Sequence, residues 1–205
     1  MTIKQRVLRH FRKSMKTKEK MCGKNVEAIC EAALAIVETF YKKGGTVYTF
    51  GNGGSAADAQ HIAGELLCML RKKYKANRFP LAAHALTTDT SVLTAIANDF
   101  GFEYVFSRQL EALAKQGDLV IGFSTSGNSK NVIKALELAK ERGVKSIAFT
   151  GGNGGEVVKK KLAEIIIKVP ARDVTLIQEG HLTSFHAICD IVEELLFSEK
   201  GLSEE

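Results

Sequence analysis

Two segments of helical periodicity open the chain, before any segment that resembles a strand. Apolar residues recur at helical spacing in residues 3–16, and the same pattern is stronger in residues 25–42. Lys-Lys-Gly-Gly at 42–45 then predicts the end of the second helix, because glycine commonly follows the last helical turn. The pattern therefore predicts a helical N-terminal segment over residues 1–43.

Five short β-rich runs follow, mostly separated from one another by helix-like segments. They occupy residues 46–50, 81–86, 118–123, 145–150 and 164–169. The run at 118–123 has the apolar continuity of a strand that is buried on both faces. A closing helix is predicted over residues 175–198. Strands that alternate with helices indicate a five-stranded parallel sheet with helices on both faces, in a three-layer flavodoxin-like or Rossmann-like α/β domain.

The same pattern predicts the domain organisation. Short connections favour a single domain over residues 1–205, with the helical segment first and the α/β core and closing helix in residues 44–200. The two leading helices have no sheet partner of their own in the sequence. We therefore expect them to pack with the closing helix in an oligomer.

Composition is that of an ordinary globular protein. The 205 residues are 45% hydrophobic and 25% charged, which is enough for a sizeable core. No apolar run approaches the roughly 20 residues of a membrane span, and no segment resembles a secretory signal, so we expect a cytoplasmic protein. The four cysteines form no CxxC pair, and neither a disulfide nor a cysteine zinc site is expected.

The net charge of +6 is concentrated at the N-terminus. Residues 1–24 carry nine Lys or Arg against Glu19 alone, so the rest of the chain is slightly acidic. A basic amphipathic start occurs in nucleic-acid arms, transit peptides and membrane-surface helices, but it is more often a solvated helix face. We favour the solvated face and expect neither a nucleic-acid nor a membrane partner.

A glycine-rich turn links the first predicted strand to the next helix. Gly51, Gly53 and Gly54 let backbone N–H groups approach a ligand closely, and Ser55 is predicted to cap the helix that follows. A turn of this kind is common in α/β proteins. It is also suited to binding a phosphate at the start of the helix.

His61 and Glu65 stand four residues apart on that helix, which we predict to continue to about Leu70. An imidazole and a carboxylate at this spacing share one helix face, so they can meet one metal ion or one substrate. By itself such a pair is more often a solvated helix face. The glycine turn, the helix and the pair lie within residues 50–66, and together they favour phosphate binding and acid/base chemistry at one corner.

A second polar segment follows the third predicted strand. Residues 124–129 hold four hydroxyls and a glycine before a helix, where N–H groups and the helix dipole favour a phosphate, although an ordinary loop stays the alternative. The segment lacks the Gly-Lys-Ser/Thr of a Walker loop and the spacing of a dinucleotide fingerprint. Because ligands gather outside the carboxyl ends of parallel strands, we expect this loop, the first glycine turn and Asn98/Asp99 to edge one crevice. We interpret the glycine turn at 151–155 as a plain connection.

Together these motifs resemble the sugar-isomerase (SIS) domain family over about residues 25–197. Within that family, the chain is most similar to bacterial isomerases of a seven-carbon sugar phosphate. Five separated motifs occur in the family's order, namely Gly51-Asn52-Gly53-Gly54-Ser55 with Gln60, His61 and Glu65; Asn98-Asp99; Ser124-Thr125-Ser126-Gly127-Asn128-Ser129; Ile177-Gln178-Glu179; and His186.

The resemblance implies an aldose–ketose isomerase that converts sedoheptulose 7-phosphate into D-glycero-D-manno-heptose 7-phosphate, for the heptose of the bacterial cell envelope. It implies acid/base proton transfer through an enediol by Glu65 and His186. It further implies zinc held by His61, Glu65, Gln178 and His186, and a homotetramer with sites at subunit interfaces. The implied substrate-binding residues are Asn52, Gly53, Gly54, Ser55, Glu65, Asn98, Asp99, Ser124, Thr125, Ser126, Ser129 and Gln178.

The spacing of two implied ligands raises a geometric question. Gln178 and His186 are eight residues apart, or about 12 Å along a straight helix, which is too far to reach one metal ion easily. We hypothesise that Gln178 lies at the helix start, or that ligands come from different subunits. His181 is nearer to Gln178, but the family register favours His186.

Two features bear on the alternative function. Some SIS proteins are non-catalytic binding proteins, including a type that associates with a replication initiator, and these lose the acid/base residues. Glu65 and His186 are both present here, which favours an enzyme. The chain departs from the family at Leu176, where an arginine often precedes the glutamine by two residues.

Overall fold

The computed structural model describes residues 1–198, so residues 199–205, including the end of the predicted core at 199–200, lie outside the described part. The helices are α1 Ile3–Cys22, α2 Val26–Tyr41, α3 Gly54–Leu67, α4 Thr90–Asp99, α5 Ser107–Leu113, α6 Lys130–Glu141, α7 Gly155–Lys159 and α8 Val174–Phe197. The strands are β1 Val47–Gly51, β2 Ala83–Ala85, β3 Leu119–Phe123, β4 Lys145–Gly151 and β5 Ile165–Val169. Short 3-10 turns occur at Lys72–Tyr74 and Phe102–Tyr104.

All five strands run parallel, in the order β2-β1-β3-β4-β5. This order is the flavodoxin-like one, and it confirms the predicted fold class. The chain leaves β1 toward one edge of the sheet and β3 toward the other edge, so a crevice opens between the ends of these two strands. Gly51 pairs with Phe123 at that position, which places the glycine turn and the serine-rich loop side by side.

Apolar side chains fill both faces of the sheet. Every residue of β1 and β3 is buried, as expected for central parallel strands. One face packs under α2, α3 and α8, with Ile36, Ile62 and Phe185 fully buried. The other face packs mainly under α5, α6 and α7, with Phe106 and Leu136 in its core. Helices α3 and α8, which carry the candidate site, therefore rest on the same face.

Several element boundaries differ from the predicted ones. Helix α1 continues to Cys22 instead of ending near residue 16, because residues 17–22 contain good helix formers and no breaker before Gly23. Strand β2 has only three residues, at the edge of the sheet, where short strands limit pairing with other chains. Helix α3 ends at Leu67 instead of about Leu70, since Arg78 donates to the carbonyl oxygen of Leu66.

Helix α1 attaches to α8 mainly through polar contacts. Glu179 accepts hydrogen bonds from His10 and Ser14, and Met21 packs in a small cluster with Ile177. The N-terminal helix is thus held against the helix that carries Gln178 and His186. Among residues 1–198, no helix is long and apolar enough to cross a membrane.

Candidate active site

The glycine turn between β1 and α3 begins the site. Gly53 is the N-cap of α3 and has φ 57° and ψ −121°, a conformation that favours glycine. The prediction that Ser55 caps this helix is wrong. Its N–H donates to the carbonyl oxygen of Asn52 at 3.0 Å, so the turn closes earlier and Ser55 lies buried in the first helical turn.

His61, Glu65 and His186 form a compact cluster. His61 Nε2 lies 3.0 Å from Glu65 Oε1 and 3.3 Å from His186 Nε2. The first contact is local, because the two residues stand one turn apart on α3, whereas the second depends on the packing of α8 against α3. One possible ligand atom from each residue lies within 4.8 Å of those of the other two. The structure thus brings together three of the four predicted metal ligands and both predicted catalytic residues in one chain.

Burial shifts the pKa values of two side chains in and near this cluster. Partial burial lowers the pKa of His186, the neighbouring His61 lowers it further, and the Glu65 carboxylate only partly opposes the shift. His186 is therefore neutral at neutral pH and can accept a proton. On α3, burial raises the pKa of Asp58 to about 6, and no described residue donates a hydrogen bond to its buried Oδ2.

His181 is buried beneath the cluster and does not join it. Its Nε2–H donates to the carbonyl oxygen of Thr150 at 3.0 Å, and its side chain packs against Phe123 and Phe149. Burial lowers its pKa to about 4, so this imidazole stays neutral. His186, and not His181, lies beside His61, as the family register predicts.

Gln178 lies about two turns from the cluster. It is the fifth residue of α8, and a Cβ on Gly54 would collide with its side-chain amide. Since Gly54 precedes His61 by seven residues, Gln178 sits roughly 10 Å from the cluster along the paired helices. Within one chain, the structure does not bring this predicted ligand to the others. Leu176, at the position of the departure from the family, is buried in the core.

The serine-rich loop borders the same crevice as the glycine turn. A reciprocal pair of amide hydrogen bonds, each 2.8 Å, joins Asn52 of the turn to Asn131 of α6. Inside the loop, Ser124 Oγ donates to Ser129 Oγ at 3.0 Å. The N–H of Val132 donates to Asn131 Oδ1 at 2.9 Å, but the first two N–H groups of α6 have no carbonyl partner one turn earlier, so those two are available to an anion.

The third glycine turn has a role that the sequence interpretation missed. Asn128 Oδ1 accepts the backbone N–H of Glu156, and the carbonyl oxygen of Gly127 accepts that of Val157. A Cβ on Gly127 would collide with the carbonyl of Gly154. The turn at 151–155 therefore buttresses the serine-rich loop. The only sequence signal for this close approach is its density of glycine.

Asn98 and Asp99 are not joined to the crevice within one chain. They end α4, where Asn98 Nδ2 donates to Asp99 Oδ1 at 2.8 Å, and both are exposed. Asp99 lines a different cavity, together with Tyr104 and Arg108. The expectation that this pair edges the common crevice is therefore not met by the arrangement of a single chain.

Comparison with known proteins identifies the family to which this chain is similar. The sequence model of the family described as "SIS domain" matches residues 9–151. The phosphoheptose isomerase of Citrifermentans bemidjiense is 52% identical over 167 residues, which are 82% of this chain and 84% of that protein. The phosphoheptose isomerase of Aquifex aeolicus is 47% identical over 192 residues, which are 94% of this chain and 97% of that protein.

Solved structures agree with these sequence relatives. The phosphoheptose isomerase from Neisseria gonorrhoeae matches with a TM-score of 0.85 and 43% identity, over 94% of this chain and 99% of that one. The phosphoheptose isomerase from Francisella tularensis matches with a TM-score of 0.86 and 35% identity, over 94% and 98% of the two chains. These likenesses extend over nearly the whole described chain.

Proposed function

The chain belongs to the SIS-domain family and, within it, to the phosphoheptose isomerases, and on that premise we propose that it converts sedoheptulose 7-phosphate into D-glycero-D-manno-heptose 7-phosphate. The reaction interconverts a ketose and an aldose by moving a proton between adjacent carbons through an enediol. Its proposed place is the synthesis of heptose for the bacterial cell envelope. A cytoplasmic location stays a prediction.

The observation that carries the proposal is the cluster of His61, Glu65 and His186. Glu65 supplies a carboxylate base for the proton on carbon, and His61 at 3.0 Å helps to orient it. His186, neutral because burial and His61 lower its pKa, exchanges the proton on the neighbouring oxygen. Proton removal from carbon and proton exchange on oxygen are the two transfers that an enediol route requires.

The phosphate end of the substrate is assigned to the serine-rich loop. Ser124, Thr125, Ser126 and Ser129 offer hydroxyls at the start of α6, where the positive end of the helix dipole favours an anion. The bond between Asn52 and Asn131 holds this loop beside the glycine turn. A sugar phosphate lying across the crevice would reach from this loop toward the cluster on α3.

The donor set of the cluster fits zinc. Two imidazole nitrogens and a carboxylate oxygen are ligands of catalytic zinc sites, which keep a fourth position open. The possible ligand atoms of these three residues all lie within 4.8 Å of one another, so they could hold one ion. We propose His61, Glu65 and His186 as its ligands. When bound, the ion would polarise the sugar oxygens.

The proposed assembly is a homotetramer with its sites at subunit interfaces. In that arrangement, Gln178 and the Asn98/Asp99 pair act on a neighbouring subunit's site. The offset of Gln178 by about two helical turns from the cluster of its own chain supports its assignment, and the separate cavity that Asp99 lines supports that of the pair.

An isomerase assay with sedoheptulose 7-phosphate tests the function. We expect turnover by the wild type and a loss of at least about 100-fold in Glu65→Gln and His186→Ala, which remove the acid/base pair. Glu141→Gln and His84→Gln are matched controls, because both residues are exposed and lie outside the site. The assay is run with and without added zinc.

The second candidate function is a non-catalytic SIS-domain binding protein. The presence of both Glu65 and His186 in one cluster favours the isomerase over this alternative. A wild type that binds the sugar phosphate in calorimetry, but does not convert it at any zinc concentration, would replace the proposal with the alternative.

A further inference from the structure

A cavity of about 700 Å³ adjoins the serine-rich loop. Thr125, Ser126 and Asn128 form one wall, the turn after β4 forms another, and Arg172 lies on the third wall, in the connection between β5 and α8. A single space is thus bordered by two hydroxyl-bearing residues of the proposed phosphate loop and by an arginine.

Arg172 is exposed, and it forms no ion pair with another residue among 1–198. Its neighbour Asp173 caps α8 instead, with Oδ1 accepting the backbone N–H of Thr175 at 3.1 Å and its hydroxyl at 2.9 Å. Those hydrogen bonds hold the pKa of Asp173 below its usual value, so this carboxylate stays ionised and occupied at the helix start. The guanidinium is therefore free to bind an anion in the cavity.

The serine-rich loop itself contains no cation. Its hydroxyls and N–H groups are neutral donors, whereas a sugar phosphate carries close to two negative charges at neutral pH. Guanidinium groups match phosphate oxygens with paired donors, and such charge-assisted bonds are about twice as strong as neutral ones. A phosphate at Thr125 and Ser126 would face Arg172 across the cavity.

We propose that Arg172 binds the phosphate group of the sugar-phosphate substrate across the cavity that Thr125 and Ser126 border. This assignment rests on the proposed function for the sugar and extends it to a residue of the β5–α8 connection. Two other cations flank the region. Lys130 follows the loop on α6, and Lys168 lies on β5, but neither lines the cavity.

Steady-state kinetics of Arg172→Gln test the assignment. We expect KM for sedoheptulose 7-phosphate to rise about tenfold, with kcat within about twofold, because the lost contact is far from the reacting carbons. Arg172→Lys should restore part of the affinity. Lys130→Gln is the matched control, since it removes a positive charge next to the loop without altering the cavity wall, and its KM should stay within about twofold of wild type.

Inhibition by inorganic phosphate provides a readout of the phosphate subsite alone. We expect the inhibition constant to rise by about the same factor in Arg172→Gln as KM does, and to change little in Lys130→Gln. Raising the salt from about 20 to about 300 mM should weaken phosphate binding less in Arg172→Gln than in the wild type, because the screened contact is gone.

The outcomes separate the inference from the proposed function. Unchanged KM and unchanged phosphate inhibition in an active Arg172→Gln enzyme would overturn the role of Arg172 and leave the isomerase intact. Equal effects of Arg172→Gln and Lys130→Gln would also overturn it. The general positive potential near the loop would then explain phosphate binding without a direct contact from Arg172. If the wild type does not convert the sugar, calorimetry with inorganic phosphate and the same variants decides the inference on its own.

Discussion

Asp58 is a partly buried carboxylate whose desolvation is only partly opposed by the nearby His61. It lies three residues before His61 on α3, and burial raises its pKa to about 6. Its pKa in the unfolded chain is about 3.9, so the folded state binds more protons between about pH 4 and 6. Stability therefore falls as pH rises through that window, and the ionised group costs about 1 kcal/mol at higher pH after solvent screening.

Asp58→Asn should remove this cost. We expect the variant to be more stable than the wild type at pH 7.5 by about 1 kcal/mol, with the difference vanishing near pH 4. Thermal melts across that range measure it. Asp190→Asn is the contrasting control, because the hydrogen bond from Arg71 lowers the pKa of Asp190 and its loss should destabilise the protein at pH 7.5. A lower melting temperature for Asp58→Asn at pH 7.5 would contradict the assignment.

At this scale, the sequence predicts local contacts well and distant ones poorly. The pairing of His61 with Glu65 follows from their spacing on one helix. The contact of His186 with His61 joins residues 125 apart in the chain, and it depends on how α8 packs beside α3. No sequence motif marks Arg172 as a binding residue. Only the fold shows that it borders the same cavity as Ser126.

The end of α3 is fixed by a buried ion pair between α8 and the loop before β2. The side chains of Arg78 and Glu193 are each 2% exposed, with Nε and Oε1 3.0 Å apart. Glu193 also accepts the backbone N–H groups of Leu70 and Arg71 at 2.9 and 2.8 Å, while Arg78 donates to the carbonyl of Leu66. The pair therefore anchors the last turn of α3, just after Glu65, to α8.

Glu193→Gln should destabilise the fold strongly. The substitution keeps the shape of the side chain but leaves the Arg78 charge buried without a counter-charge, at a cost of about 3–5 kcal/mol. Glu194→Gln is the matched control. Glu194 pairs with Lys73 at the surface, and a glutamine oxygen can still accept from the hydroxyl of Tyr74, so the loss should be about 1 kcal/mol or less. Urea unfolding of both variants measures the difference, and similar losses would contradict it.

Element order could be predicted from the sequence because each segment carries its own hydrophobic period. The ends of an element could not be predicted where a side chain distant in sequence determines them. The extension of α3 to Leu70 is prevented by Arg78, in the loop before β2, and by Glu193, on α8. The N-cap at Gly53 depends on a backbone conformation that the choice of Ser55 from residue preference overlooked.

Two surface features of the molecule favour association with other copies of the chain. Helix α1 exposes apolar side chains, with Phe11 and Met15 each 62% exposed, and turns its small polar residues toward α8. Helix α4 has no buried residue at all. We propose that residues 1–205 form one domain in which the helical segment 1–43 supplies the association surface. Burying such apolar area is what stabilises a symmetric oligomer.

Mixed oligomers test which residues are shared between subunits. Glu65 and His186 meet within one chain, so a mixture of Glu65→Gln and His186→Ala subunits has no complete cluster and should stay inactive. Gln178 lies away from the cluster of its own chain, so a mixture of Gln178→Ala with Glu65→Gln should recover activity.

With random assembly of equal amounts, about one site in four would combine an intact cluster with a neighbour's intact Gln178. Assays after co-refolding compare each mixture with its separate parents. Recovery in the mixture of Glu65→Gln and His186→Ala would mean that these two residues act across an interface. Absence of recovery in the mixture of Gln178→Ala and Glu65→Gln would place Gln178 at the site of its own chain, where α8 would have to bend to reach the cluster.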